Sequence, residues 1–222
     1  MKISGQENNY WDARYSAGGT SGYSSINIFR ERKWEIIESY VSEFNDIIDV
    51  GCGDLSFWEG RDCPNYTGID ISPTIIKTNQ ITRPHWKFIL ADASITQPIQ
   101  ARIVFCFDIL FHVMNDESYK EILRNLSKYS KEWIFIYTWR ENPFIYLRAR
   151  FRIAFNRLIE GKIFQAFKML IGSTTDFHYQ KFRDLSECYP IFDKAGFELQ
   201  TIIGDFSDPW GAMYIFRKKD KY

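Results

Sequence analysis

Residues 46–54 read Asp46-Ile47-Ile48-Asp49-Val50-Gly51-Cys52-Gly53-Asp54, a short apolar run stopped by two glycines. A run this short, closed by glycine, predicts a buried strand rather than a helix. Glycines at its end permit a tight turn that a ligand can approach closely. The same unit recurs downstream. Tyr66–Ile71 predicts a second strand, followed by Ser72 as N-cap and Pro73 in the first turn of a helix. Trp86–Leu90 is a third strand ending at Ala91-Asp92, Arg102–Phe107 a fourth running into Asp108, and Trp133–Tyr137 a fifth. Between the last two, Asp116 is expected to cap a helix with Tyr119, Ile122, Leu123 and Leu126 on one face. Upstream, Phe29–Phe44 sets Trp34, Ile37, Tyr40, Val41 and Phe44 at helical spacing. Toward the end, a helix over Phe182–Ala195 should stop at Gly196, a C′ position, before strands at Phe197–Ile203 and Ala212–Phe216. Strands alternating with helices predict a doubly wound α/β fold: a mainly parallel seven-stranded sheet covered on both faces. At 222 residues the chain suits a single domain.

Composition narrows the function. The formal net charge is zero, so no chain-wide basic field points to nucleic acid. An aromatic content of 18% fits either a Phe-rich core or a site that recognises planar or sugar rings. Cys52, Cys63, Cys106 and Cys188 are scattered without a C-x-x-C pair, and the three histidines are dispersed. That pattern predicts no metal site and a reduced, cytoplasmic protein. The opening MKISGQENNY has no apolar core of a signal, and no apolar run approaches the ~20 residues of a membrane span.

In open α/β sheets, ligands bind outside the carboxyl ends of the strands, where strand order reverses. The first strand's turn lacks the third glycine of G-x-G-x-x-G and carries acids at Asp49 and Asp54. Carboxylates there repel a pyrophosphate, which counts against a nicotinamide-dependent oxidoreductase, but suit a ligand bearing an ammonium and a sulfonium. Asp70, ending the second strand, can accept hydrogen bonds from two ribose hydroxyls, and Asp92, after the third, a bond from an exocyclic amine. Any one of these acids can be a helix cap or a turn residue. Three in succession at strand ends form a pattern.

The runs DVGCGD (49–54), GIDIS (68–72), ADA (91–93) and FDILFHV (107–113) resemble the successive cofactor motifs of class I S-adenosylmethionine-dependent methyltransferases. The resemblance implies that Asp49, Gly51 and Gly53, with Cys52 between them, surround the methionine part of the cofactor. It implies that Asp70, with Ile71 beside it, holds the ribose, that Asp92 and Ala93 meet the adenine, and that Phe107 and Asp108 close the site beneath the methyl group. The segment Tyr10-Trp11-Asp12-Ala13-Arg14-Tyr15, followed by Gly18-Gly19-Thr20-Ser21-Gly22, is similar to the W-x-x-R-Y and GG-x-SG lead of a bacterial subgroup. That similarity implies that residues 1–45 fold over the cofactor, with Tyr10, Trp11, Arg14 and Tyr15 in the site and Arg14 pairing with the cofactor carboxylate as a fork. The alternative is an amphipathic helix that packs Trp11 and Tyr15 on the sheet. Where the subgroup has a further glycine after the acid of the turn, this chain has Leu55.

Methyl transfer needs orientation and, for a hydroxyl acceptor, a general base. His112, just past the fourth strand, and His178, in a stretch Asp176–Arg183 resembling the subgroup's H-x-R-H-R-x-F, are the candidate bases, with Asp108 as a third catalytic group. A lone histidine is more often structural than catalytic, and each of these can be so. Residues 142–175 read as a helical insert carrying Arg148, Arg150, Arg152, Arg157, Lys162 and Lys168 among bulky apolar residues. It can be a cap over the cleft, a site for an anionic acceptor, or a peripheral membrane contact suited to a lipid-linked glycan. The expected function is S-adenosylmethionine-dependent O-methylation, with N-methylation second, of a small molecule or glycan; sugar comes first because the subgroup is associated with surface polysaccharides. The alternatives are a non-catalytic S-adenosylmethionine-binding protein and a nucleic-acid methylase, though no stacking motif supports the latter.

Overall fold

The computed structural model describes residues 5–142, 159, 180–204 and 210–220. Seven strands form one sheet: β1 (Asp46–Val50), β2 (Asn65–Asp70), β3 (Lys87–Leu90), β4 (Ala101–Phe107), β5 (Ser130–Trp139), β6 (Phe197–Gly204) and β7 (Gly211–Lys218). Their order is β3-β2-β1-β4-β5-β7-β6, so strand order reverses between β1 and β4. The first five are parallel, and β7 runs antiparallel to both β5 and β6.

Both faces are buried, and the two-residue period of the strands divides the core. Ile48, Val50, Val104, Cys106, Ile134 and Ile136 face one cluster, which α4 (Asp116–Tyr129) and α5 (Tyr189–Lys194) cover. Ile47, Ile103, Phe105, Phe135 and Ile215 face the other, which α2 (Asn27–Glu38) covers. Among the described residues, this second face holds more of the core aromatics than the first. Trp34 stacks on Phe57 with centroids 4.7 Å apart and donates its indole N–H to the Phe57 carbonyl at 3.0 Å.

Local chemistry sets the helix limits. Ser72 caps α3 (Pro73–Thr82), its hydroxyl accepting from the Ile75 N–H. The helix expected over Phe29–Phe44 ends at Glu38, and Val41 and Phe44 reach the core from the loop beyond it. Asn115, not Asp116, caps α4, accepting the N–H groups of Glu117 and Ser118 at 2.9 Å. Asp116 instead pairs with Lys181 and Arg183, whose hydrogen bonds hold its carboxyl down at about 2. The helix expected from Phe182 begins only at Tyr189, behind a single turn at Leu185–Cys188 that Asp184 caps. Pro190 fits a first turn but not a helix interior, and Lys181 and Arg183 are bonded instead to the carbonyls of Phe111, Val113 and Met114. Gly196, at φ +79°, ends α5. The insert expected over 142–175 and His178 fall outside the described residues, apart from Asn142 and Ile159. No helix of the described residues is long and apolar enough to cross a membrane.

Candidate active site

The carboxyl ends of β1, β2 and β4 open into one cavity at the point where strand order reverses. The turn after β1 is shaped for close approach. Gly51 has φ +76°, and a Cβ there would meet Ile109 Cγ2 at 2.4 Å. Gly53 has φ +53°, and a Cβ there would meet Ser21 Oγ at 2.1 Å. Leu55, where the resembled subgroup has glycine, holds the left-handed conformation regardless, at φ +61°. The conformation costs roughly 1–2 kcal/mol for a residue with a Cβ. Burial of the Leu55 side chain in the aromatic core offsets this by a comparable amount, about 1.5–3 kcal/mol.

The strand-end acids are held by donors. Asp49 Oδ2 accepts from Trp58 Nε1 at 2.8 Å and from the Tyr66 hydroxyl at 2.9 Å. Burial pushes its carboxyl up to about 6, against the pull of those two hydrogen bonds. Asp70 takes the Ser72 N–H on Oδ1 at 2.9 Å and the Gly53 N–H on Oδ2 at 3.0 Å, so one side chain ties the β1 turn to the start of α3. Burial raises its carboxyl too, while the backbone donors oppose that rise. Asp92 accepts the Ser94 N–H at 2.8 Å. Asp49, Asp54, Asp70, Asp92 and Asp108 all line the cavity, and among the described residues Lys33 is the one Lys or Arg there.

The N-terminal helix α1 (Gly5–Ser16) and the turn after it lie across this cavity. Asp12 Oδ1 accepts from the Ser72 hydroxyl at 2.7 Å and the Thr74 N–H at 3.0 Å, which hold its carboxyl below the ordinary range. Its charge thereby sits at the N-terminus of α3, where a carboxylate is favoured. Ser21 and Asp54 bond reciprocally: the Ser21 N–H and hydroxyl donate to the carboxylate at 2.9 and 2.8 Å, and the Asp54 N–H donates back at 2.8 Å. Burial pushes Asp54 up, but hydrogen bonds from Ser21 and Ser56 outweigh it and hold the carboxyl low.

Of the residues expected at the site, Trp11, Tyr15, Asp49, Gly51, Cys52, Asp70, Ile71, Asp92, Ala93, Phe107, Asp108 and His112 line this one cavity. Trp11 meets His112 edge-on, centroids 4.9 Å apart. Tyr10, Arg14 and Gly53 are not on its wall. Tyr10 packs edge-on against Trp11, and Arg14 Nε donates to the Thr20 carbonyl at 2.8 Å, bracing the Gly18–Gly22 turn. His85 pairs with Asp62 away from the cavity.

Sequence reasoning missed Lys33. It is 1% exposed, donates to the Ser24 carbonyl at 3.1 Å and to Asp108 Oδ2 at 2.5 Å, and lies 4.0 Å from the Tyr137 ring centroid. The signal was present: Lys33 falls four residues after Phe29 and three and four before Ile36 and Ile37, on the apolar stripe of α2.

No protein-family model and no curated protein matches the chain by sequence. Solved structures match it by shape. Magnesium protoporphyrin IX methyltransferase from Synechocystis PCC 6803, with bound S-adenosylhomocysteine, aligns over 99% of this chain and 89% of its own at 12% identity and TM-score 0.55. The N-methyltransferase NodS from Bradyrhizobium japonicum WM9, in complex with S-adenosylhomocysteine, aligns over 88% and 89% at 13% identity and TM-score 0.58. The [4+2]-cyclase SpnF aligns over 97% and 94% at 10% identity and TM-score 0.60. The fold is the Rossmann-like fold of S-adenosylmethionine-dependent methyltransferases, and the cyclase shows that this scaffold hosts other chemistry as well.

Proposed function

We propose that this chain is an S-adenosylmethionine-dependent methyltransferase acting on an oxygen, or secondarily a nitrogen, of a small molecule or glycan. The observation that carries the reading is the sign of the cavity: among the described residues, five aspartates against one lysine, at the strand-order reversal beside a glycine turn. A pyrophosphate is repelled there, whereas a ligand with an ammonium, a sulfonium and a ribose diol finds acceptors for each. In this reading Asp49, Gly51, Cys52 and Gly53 surround the amino-acid end, Asp70 and Ile71 the ribose, and Asp92 and Ala93 the adenine. Trp11 and Tyr15 cover the ligand from the N-terminal segment, with Tyr10 and Arg14 supporting them from behind; residues 1–45 are the cover of a single domain spanning 1–222.

When bound, the cofactor supplies an activated methyl group. The chain's own part is to exclude water with α1, to orient the two reactants, and to receive a proton at Asp108 or His112. His178 and the basic 142–175 insert are proposed to border the acceptor, the insert as a cap over the cleft; a cytoplasmic location fits this reading.

Calorimetry with S-adenosylmethionine, S-adenosylhomocysteine and NADH tests the cofactor. Micromolar binding of the first two, none of the third, and loss in Asp70→Ala are expected. Binding of NADH alone would overturn the reading. Release of S-adenosylhomocysteine with a hydroxyl or amine acceptor separates an enzyme from a non-catalytic binder.

A further inference from the structure

The buried cation beside the strand-end acids has a geometry that the cofactor reading leaves unused. Asp108 follows β4 in the left-handed region, at φ +60°, a conformation that costs a non-glycine residue and is found where a site requires it. Its N–H is tied to the Tyr137 carbonyl at 3.0 Å, which fixes the backbone. Among the described residues, both hydrogen bonds to its carboxylate fall on one oxygen: Oδ2 accepts from Lys33 Nζ at 2.5 Å and from the Ser24 hydroxyl at 2.7 Å. Lys33 is engaged in turn by the Ser24 carbonyl, Asp108 and the face of Tyr137, so two of its three ammonium protons are committed to protein acceptors and its charge rests on an aromatic ring. Lys33 and Ser24 reach Asp108 from α2 and the turn before it, 75 and 84 residues away in sequence.

We propose that Lys33 and Ser24 are positioning residues that clamp Asp108 by Oδ2 and leave Oδ1 to take the proton of a hydroxyl or amine acceptor. The acceptor class follows from this. A carboxylate or phosphate acceptor brings no proton for Oδ1 and meets a second negative charge, whereas a neutral O–H or N–H group donates to it. The proton that the acceptor sheds as its heteroatom takes the methyl group passes to Oδ1 and then to water. The electron pair of the broken carbon–sulfur bond stays on sulfur, so charge and atoms balance.

The proposal rests on the cofactor reading above, and its test separates the two. Sinefungin carries a primary amine where the methyl group of S-adenosylmethionine would sit, so its ammonium reports on Oδ1 without turnover. Calorimetry of the full chain is expected to show sinefungin binding about tenfold or more tighter than S-adenosylhomocysteine, the difference of one charge-assisted hydrogen bond. Asp108→Asn should erase that preference, and Ser24→Ala, which removes one bond on Oδ2 without altering charge, should reduce it severalfold. Lys33→Met should change sinefungin affinity in the Asp108 background but by less than about twofold in the Asp108→Asn background, because Lys33 acts through Asp108. Equal affinity for the two analogues, or an equal Lys33→Met effect in both backgrounds, overturns the clamp. Failure of both analogues to bind overturns the cofactor reading instead. Should Lys33→Met not fold, the Ser24→Ala comparison decides alone: an unchanged preference there rejects the proposal.

Discussion

The two halves of the cavity are built differently. On the β1–β2 side, the two strand-end acids are fixed by groups near them in the chain: Asp70 by the N–H groups of Gly53 and Ser72, Asp49 by Trp58 and Tyr66 within 17 residues. Asp54 of the turn adds a remote partner, Ser21. On the β4 side, Asp108 is fixed by Lys33 and Ser24, which arrive from a helix and a turn formed long before it in the chain. A local frame depends on turn chemistry, and a remote one on whether two layers of the fold dock correctly. The β1–β2 half should therefore respond to backbone substitutions, and the β4 half to side-chain ones.

The largest expected effect is at the joint between the halves. Gly51→Ala adds a Cβ at φ +76° and drives it into Ile109, a neighbour of Asp108. A strained backbone and an overpacked contact together should cost about 2–4 kcal/mol of stability, read as a lower urea midpoint. An unchanged midpoint would mean that the turn and the β4 loop are not coupled.

The next concerns Asp49, whose carboxyl burial raises to about 6. Protonation removes the charge that favours a cationic ligand, so affinity for S-adenosylmethionine should fall roughly tenfold from pH 7 to pH 5. Asp49→Asn, which keeps an acceptor for Trp58 and Tyr66, should bind more weakly at pH 7 and lose most of that pH dependence. Stability carries the opposite sign. The folded Asp49 holds its proton more tightly than the unfolded one, so its contribution is lost as pH rises from its ordinary range through about 6. Melting temperatures of wild type and Asp49→Asn should therefore diverge across that window, the variant gaining at the upper end. A constant gap would contradict the assignment.

The smallest effect sharpens the role of the cover. Asp12→Ala removes two hydrogen bonds to the start of α3, worth about 1 kcal/mol. S-adenosylhomocysteine should then dissociate roughly fivefold faster, followed by Trp11 fluorescence in stopped flow. An unaltered rate would mean that α1 does not gate the ligand.

The same division explains what the sequence disclosed. Asp49-Val50-Gly51-Cys52-Gly53 and Gly68-Ile69-Asp70-Ile71-Ser72 are contiguous, so their apolar runs, glycines and caps announced both the strands and the acids at their ends. Lys33 was visible only as a charge on an apolar stripe, because its partner Asp108 is distant in the chain and the docking of α2 brings them together. Leu55 shows a different limit: its side chain conceals a left-handed backbone whose cost its burial in the aromatic core offsets. Helix ends misled where tertiary bonds overrode local preference, as with Asp116, which reads as a cap but serves Lys181 and Arg183. The aromatic content divides as well: Trp34, Trp58, Tyr66 and Trp86 build one face of the core, Trp11 and Tyr15 line the cavity, and Phe57 and Phe107 belong to both.

The most direct test of the central claim is a calorimetric titration of the wild type and Asp70→Ala with S-adenosylmethionine at pH 7. Micromolar binding that falls at least about a hundredfold in the variant is the predicted result, since Asp70 holds the Gly53 turn, lines the cavity and is the group proposed to take the ribose. No binding by folded wild type, or equal binding by both proteins, would contradict the account.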